Sequence, residues 1–223
     1  MKSVLGVYGA GGFGREVMPV AVTYGNVKDR YKNIINLEES LFLETEPLAN
    51  SVNNVKLMAE KNFIDMVDKN LYFTVAIANS KVREAISTRM INAGIEPCTI
   101  QDNTAIVHVS SNIDVGAIFS HYSIVTANSI IGKFFHANYM SYVAHDCKIG
   151  DYVTFAPGSS CSGNVHIGNH TYVGANATIK QGSFKNPLHI GANVLVGMGS
   201  IVTKDLPDNV IVAGNPARII GTN

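Results

Sequence analysis

The chain is poor in charge and has no bias of sign. Seventeen basic side chains face seventeen acidic ones, and charged residues make up 15% of the sequence. A basic footprint for nucleic acid is absent, and no run of like charge marks an interaction tail. Cysteine is scarce as well. Cys98, Cys147 and Cys161 are an odd number with no C-x-x-C pair, so neither a disulfide framework nor a metal or redox motif is indicated. Long apolar runs are missing too. Residues 4–8 form a short stretch that runs straight into glycines, and no segment is long enough to cross a bilayer. These absences predict a cytoplasmic protein with reduced thiols, no metal, no membrane contact and no nucleic-acid partner.

What is present is apolar content of 46%, enough for a substantial core in 223 residues. Two grammars divide the chain, and they predict two domains, 1–100 and 101–223. In the first, strands alternate with helices. Residues 4–8 read as a strand, 15–24 as a helix and 41–44 as a second strand, with 34–37 competing for that role. Residues 72–78 read as a buried strand and 81–93 as a helix that Gly94 caps. This alternation predicts a small Rossmann-like parallel α/β sheet.

From Val107 onward an aliphatic or small apolar residue recurs every six positions through Val125, Val143, Cys161 and Ile179. A second, mostly small phase stands four residues further on (Ser111, Ser123, Ser141, Cys147, Ser159, Ala177). Between the phases lie Gly116, Asn128, Asp146, Gly158, Asn164 and Asn176, residues that tolerate left-handed backbone angles. A period of six is the signature of a parallel β-helix whose coils have three flat sides; the hexapeptide kind is left-handed. The beat slips once, from Ile179 to Ile190, so 183–188 reads as a loop leaving the coil, and 206–220 as a cap. A purely structural solenoid is disfavoured, because no regular threonine ladder runs through the repeats.

Three constellations carry candidate chemistry. Gly9-Ala10-Gly11-Gly12-Phe13-Gly14 satisfies G-x-G-x-x-G between a strand and a helix. Glycines let backbone approach a phosphate, and the helix N-terminus offers free N–H groups, with Arg15 beside them. The motif suits a dinucleotide, a mononucleotide diphosphate or a tight turn without ligand; the short domain favours the mononucleotide. Asn79, with Ser80, Lys81 and Arg83, stands at a strand end, where capping and ligand contact are equally open. Third, the hexad register puts His145 at an outward corner beside Asp146. That is either solvated surface or a base whose imidazole a carboxylate orients. Cys147 and Cys161 fall in the packed phases, which disfavours a cysteine nucleophile. No histidine pair has metal-ligand spacing, and His136 is of interest because it lies near Asn138.

The glycine turn, Val75 to Asn79, Phe134 to Cys147, Ile149 to Gly158, Gly163-Asn164 and Gly214 to Arg218 together resemble bacterial nucleotide-sugar N-acetyltransferases of the hexapeptide type. The likeness is greatest to perosamine N-acetyltransferases and related enzymes acting on 4-amino-4,6-dideoxy sugars, and it spans essentially the whole chain. The resemblance implies a homotrimer using acetyl-CoA and a nucleotide-linked amino sugar in surface-glycan synthesis. It implies His145 as general base, Asp146 as its orienting acid, and Asn138 and His136 near the sugar. Gly9, Gly11, Gly12, Phe13 and Gly14 would hold the diphosphate, with Glu46, Asn79 and Arg83 around the nucleotide. Thr154, Gly163, Gly197 and Lys204 would meet acetyl-CoA. The chain departs from relatives in having Glu44-Thr45-Glu46 for an Asp-Asp pair, Phe13 for a histidine, and Thr154 for a histidine nine residues past His145. A sugar O-acetyltransferase and a non-catalytic nucleotide-sugar-binding protein share many of these features.

Overall fold

The structure, a computed structural model, describes residues 2–223. Contacts divide the chain into Met1–Asn103 with Val115–Ile118, and Thr104–Asp114 with Phe119–Asn223.

The first unit runs β1 (Lys2–Tyr8), α1 (Gly12–Pro19) with a π-turn over Val20–Tyr24, β2 (Gly25–Lys28), β3 (Glu39–Glu44), β4 (Ser51–Val52), β5 (Val55–Ala59), α2 (Glu60–Ile64), β6 (Lys69–Val75), α3 (Ser80–Asn92), β7 (Glu96–Pro97) and β8 (Thr99–Asp102). Six strands form a sheet in the order β4-β5-β3-β1-β6-β7. Apolar side chains of β1 and β3 meet α1: Leu5, Val7 and Phe42 pack with Val17, Met18 and Val20 in one buried cluster.

The sheet is mixed, not purely parallel as the alternation predicts. β4 pairs antiparallel with β5, Val52 opposite Val55. Asn53 and Asn54 between them adopt φ of 48° and 63°. A two-residue turn with both central φ angles positive matches strand twist and favours asparagine, so the hairpin was readable from Asn-Asn between two valines. Residues 34–37 make no strand of their own; Ile34 forms a single bridge to Lys28. The strand expected over 72–78 ends at Val75, and the Ile77 and Ala78 carbonyls accept from Arg83 instead of a neighbouring strand.

The second unit is a parallel β-helix with three flat faces. The first stacks Ile106–Val107, Ile124–Val125, Tyr142–Val143, Ser160–Cys161, Thr178–Ile179 and Ile201–Val202. The second stacks Asn112–Ile113, Ile130–Ile131, Lys148–Ile149, Val165–Ile167 and Leu188–Ile190. The third includes His136–Ala137, Thr154–Phe155, Tyr172–Val173 and Leu195–Val196. Partners stand one coil, or 18 residues, apart, as in Tyr142 opposite Ser160. The inward phase is buried as the hexad register predicts, from Phe119 at 1% through Val143, Phe155, Cys161 and Val173 to Val202.

From Gly116 to Asn176 one residue in every six has positive φ and turns a corner, including Asn128, Asp146 and Asn164. Phe134, Tyr152 and His170 do the same, which the glycine-and-asparagine rule does not anticipate. Left-handed backbone costs a bulky residue about 1–2 kcal/mol. Stacking offsets it. The Phe134 and Tyr152 ring centroids are 5.6 Å apart with 1° between planes, and Tyr152 and His170 are 5.3 Å apart with 8°. Such aromatic pairs contribute ~0.5–1.5 kcal/mol each.

The one slip in the beat is a loop. After it, His166 pairs with His189, an offset of 23 where earlier coils use 18. The five additional residues are 183–187; Leu188 already belongs to the next strand. The loop is closed by Ser183 N–H to Asn186 O (3.0 Å) and Asn186 N–H to Ser183 O (3.1 Å). At the end of the chain Val210–Ala213 and Arg218–Thr222 fold back as an antiparallel pair, the cap expected over 206–220.

Candidate active site

His145 and Asp146 lie on the edge between the first and second faces. Asp146 occupies the left-handed corner, φ 57°, and so turns its carboxylate back to the preceding ring. Its Oδ2 is 2.7 Å from His145 Nδ1, and its Oδ1 accepts from Asn128 Nδ2 at 3.3 Å, one coil away. The His145 bond holds the Asp146 carboxyl below the ordinary carboxylate range, against the opposing effect of desolvation, with Asn128 adding to the lowering. A charged Asp146 fixes the proton of His145 on Nδ1 and leaves Nε2 as the basic nitrogen. Both side chains are about half exposed, 48% and 43%, so the pair is open to a substrate.

The backbone beneath the pair is clamped. Asp146 N–H donates to Ala127 O and Asn164 N–H to His145 O, each at 3.0 Å, and Cys147 Sγ donates to Ser162 O at 3.3 Å. Gly163 stands one coil beyond His145. A Cβ on it would lie 2.6 Å from both Cε1 and Nε2 of the imidazole. The ring therefore fills the space beside the Gly163 Cα that a side chain would need, with Cε1 and Nε2 nearest to it. Further along the same edge, Lys180, Gln181, Ser183, Asn186 and Lys204 border a cavity of about 580 Å³. Cys147 and Cys161 are fully buried, and a shared hydrogen bond with Cys147, followed by burial, pushes the Cys161 thiol well up. Neither is placed to act as a nucleophile.

Other residues singled out in the sequence fall elsewhere. Asn138 and Gly197 stand on the edge between the third and first faces. Asn138 Oδ1 is buried without a hydrogen-bond partner. Gly197 donates to Val212 O at 2.8 Å. His136 and Thr154 are register partners on the third face, 0% and 3% exposed. Both side chains are buried against the third face, away from the His145 edge.

In the first unit, Gly9 turns the chain at φ 101° and donates to Leu43 O at 2.9 Å. Gly14 packs so closely that any Cβ would overlap the Gly9 carbonyl oxygen. Around Gly11 and Gly12, by contrast, nothing lies within 4 Å of an added Cβ, and no side chain caps α1. The packing demands glycine at 9 and 14, while the space over 11 and 12 is open to a phosphate at the helix N-terminus. This turn and the loop after β6 flank the point where strand order reverses around β1, the usual ligand crevice of such sheets. Phe13 is half-buried and packs on the core. Asn79 is exposed but caps α3, its Oδ1 accepting from Lys81 and Val82 N–H at 3.1 Å. Arg83 is completely buried and donates from Nη1 to Ile77 O (2.8 Å) and Ala78 O (3.3 Å). It braces the loop that follows β6. Glu46 is exposed.

Sequence reasoning missed a polar network in this unit. Arg89 donates from Nε to Glu60 Oε1 and from Nη2 to Glu60 Oε2, each at 2.6 Å, and Tyr8 Oη donates to Glu60 Oε2 at 2.7 Å. The residues are scattered over three elements with no local spacing, so no motif announces them.

Comparison with known proteins is decisive for the family. The chain is 42% identical, over 97% of its length and 96% of the relative's, to GDP-perosamine N-acetyltransferase of Escherichia coli O157:H7. It belongs to the hexapeptide nucleotide-sugar N-acetyltransferase family. Among solved structures it matches WeeI from Acinetobacter baumannii AYE with a TM-score of 0.88 and 41% identity, covering 98% of this chain and 100% of that one. The acetyltransferase domain of PglB from Neisseria gonorrhoeae FA1090, in complex with acetyl coenzyme A, matches with a TM-score of 0.84 and 26% identity, covering 99% and 100%. No protein-family model matches the sequence. The acyltransferase therefore combines a small mixed N-terminal sheet with a left-handed parallel β-helix. Among the described residues no helix is long and apolar enough to cross a membrane.

Proposed function

We propose that this enzyme acetylates the amine of a nucleotide-linked 4-amino-4,6-dideoxyhexose, of the GDP-perosamine or dTDP-4-amino-4,6-dideoxyglucose type. Acetyl-CoA is the donor, and the product feeds synthesis of a surface glycan such as O-antigen in the cytoplasm. The observation that carries the reading is the His145–Asp146 pair, with the Nε2 edge of the ring in the space that Gly163 leaves open.

Each residue has a defined task in this scheme. His145 Nε2 takes the proton released as the sugar amine attacks the thioester carbonyl, and later returns it to the thiolate. Asp146 keeps the ring in the right tautomer and stabilises the imidazolium. The Gly163 N–H, which makes no hydrogen bond to the described residues, holds the charge that develops on the carbonyl oxygen. Coils are stacked about 4.8 Å apart, so Lys204, three coils along the same edge, stands roughly 14 Å from His145. That span suits a pantetheine arm lying along the edge, with Lys204 near the phosphates at its far end. Gly11 and Gly12 hold the nucleotide diphosphate at the open N-terminus of α1, with Glu46 and Asn79 at its margins.

Asn138 and Gly197 fit this scheme only if they come from a neighbouring copy, because they stand across a face from His145. A face of about four residues is roughly 13 Å wide. A homotrimer supplies a second prism at that place.

The test is His145→Ala with acetyl-CoA and a panel of nucleotide-amino sugars, following thiol release. Turnover should fall at least ~10²-fold with substrate binding retained. Near-wild-type turnover removes His145 from the role. Mass spectrometry after mild alkali separates an amide product from the ester that an O-acetyltransferase would make.

A further inference from the structure

We infer that Tyr8, backed by Glu60 and Arg89, is a positioning residue that holds the segment after β3 in place to receive the nucleoside of the sugar substrate. The inference rests on the nucleotide-sugar reading above and deepens it.

Glu60 opens α2 and is 7% exposed. Both of its oxygens are engaged by Arg89, at 2.6 Å each, in the bidentate geometry that makes arginine–carboxylate pairs strong. The Arg89 bonds hold the Glu60 carboxyl below its usual range against the opposing effect of burial, and Tyr8 reinforces the lowering. Glu60 is therefore an anion, and it accepts the one proton of the Tyr8 hydroxyl at 2.7 Å.

That fixes the remaining partner. Tyr8 Oη lies 2.7 Å from Thr45 Oγ1. Since Tyr8 has given its proton to Glu60, Thr45 must be the donor. Arg89 Nη2 adds a further donor at 3.3 Å. Thr45 is the first residue beyond β3, and Glu46 follows it. Within 45–50 the described residues are mostly exposed, Leu48 completely so. The Thr45 hydroxyl ties the start of this segment to the sheet, and Asn50 O, accepting from Leu57 N–H at 2.9 Å, ties its end.

Tyr8 is also the residue before Gly9, and the Gly9 amide donates to Leu43 O on β3. One side chain thus registers the segment after β3 against the turn that offers its amides to the diphosphate. A carboxylate and a guanidinium set at the base of the link keep the tyrosine proton pointing one way. The phenol itself is held neutral to higher pH than usual, first by burial. A fixed link of this kind lowers the ordering cost when the nucleoside settles on 45–46.

The experiment compares Tyr8→Phe and Thr45→Val with wild type, and uses Thr45→Ser to keep the hydroxyl. Tyr8→Phe retains the ring and the Glu60–Arg89 pair, so the domain should fold. Steady-state kinetics are read for each substrate, and GDP, dTDP and UDP are titrated alone by calorimetry. Loss of the bond should raise KM for the nucleotide sugar, and Kd for the nucleotide, about five- to twentyfold in both variants. The kcat and the KM for acetyl-CoA should stay within about twofold, the double variant should be no worse than the poorer single, and Thr45→Ser should restore affinity. Unchanged nucleotide affinity in Tyr8→Phe and Thr45→Val overturns the inference, as does an equal loss for both substrates. A wild-type protein that binds none of the three nucleotides removes the underlying reading, and the inference with it.

Discussion

The imidazole of His145 occupies the space in which a side chain on Gly163 would begin. The two residues hold the same corner position in successive coils, and a Cβ on the second would stand 2.6 Å from the ring of the first. Ring placement and the identity of residue 163 are thus one constraint.

Gly163→Ala should therefore displace the ring without unfolding the prism. A shift of about 1 Å in a catalytic group costs on the order of 10²-fold in rate. The variant should lose ten- to a hundredfold in kcat, roughly, with a melting temperature close to wild type. A variant with full activity would show that the ring need not rest where it does.

Asp146→Asn tests the charge behind the base. Asparagine accepts the left-handed corner as readily as aspartate does, so the backbone should be unchanged. It cannot stabilise an imidazolium, and kcat should fall about tenfold or more, with acetyl-CoA affinity retained.

The corner stack can be tested by stability alone. Tyr152, 8% exposed, sits between Phe134 and His170. Tyr152→Ala removes both ring contacts and should cost about 3 kcal/mol in chemical denaturation. Tyr152→Gly should cost less than the alanine variant would suggest from volume alone, because glycine relieves the positive φ at this position.

Glu60 gives a pH dependence with a definite sign. Its folded carboxyl is held below the unfolded value by Arg89. The group therefore binds fewer protons in the folded state, and its stabilisation is present above the ordinary glutamate range near pH 4.3 and fades as pH falls through the lower folded value. Melting curves of wild type and Glu60→Gln should converge as pH drops from 6 to about 3. A gap that stays constant over that range would show that Glu60 acts through packing only.

At the glycine turn, Gly14→Ala should abolish binding of nucleotide by the first domain, because the methyl group would overlap the Gly9 carbonyl. Gly12→Ala meets nothing within 4 Å and should leave the melting temperature nearly unchanged. Reduced nucleotide affinity in Gly12→Ala, with normal stability, would place the diphosphate over that residue.

The β-helix was legible because its period is local: each inward residue is predicted by the one six positions before it, and Phe119 to Ile179, then Ile190 to Val202 after the one slip, fall where the beat puts them. His145 was legible for the same reason, since register alone turns it outward. Corner residues such as Phe134 and Tyr152 were not, because their backbone angle is sustained by rings 18 residues away. The burial of His136 and Arg83 was not legible for a related reason. Position in a motif says which way a residue sits in its own element, not what closes over it, and both are buried. The Tyr8–Glu60–Arg89 set joins residues up to 81 positions apart, a relation no window of sequence contains. The β4–β5 hairpin, by contrast, was written in Asn53-Asn54.

The five-residue departure at 183–187 shows how this prism tolerates growth. Pairing resumes after it with the same partners one coil on, His166 beside His189 and Ile167 beside Ile190. New material added at an edge leaves every flat side in step, whereas one residue gained within a side would turn the inward set outward. The chain leaving the stack at Gly182 therefore reshapes the border of the cavity along this edge while the coils below keep their count.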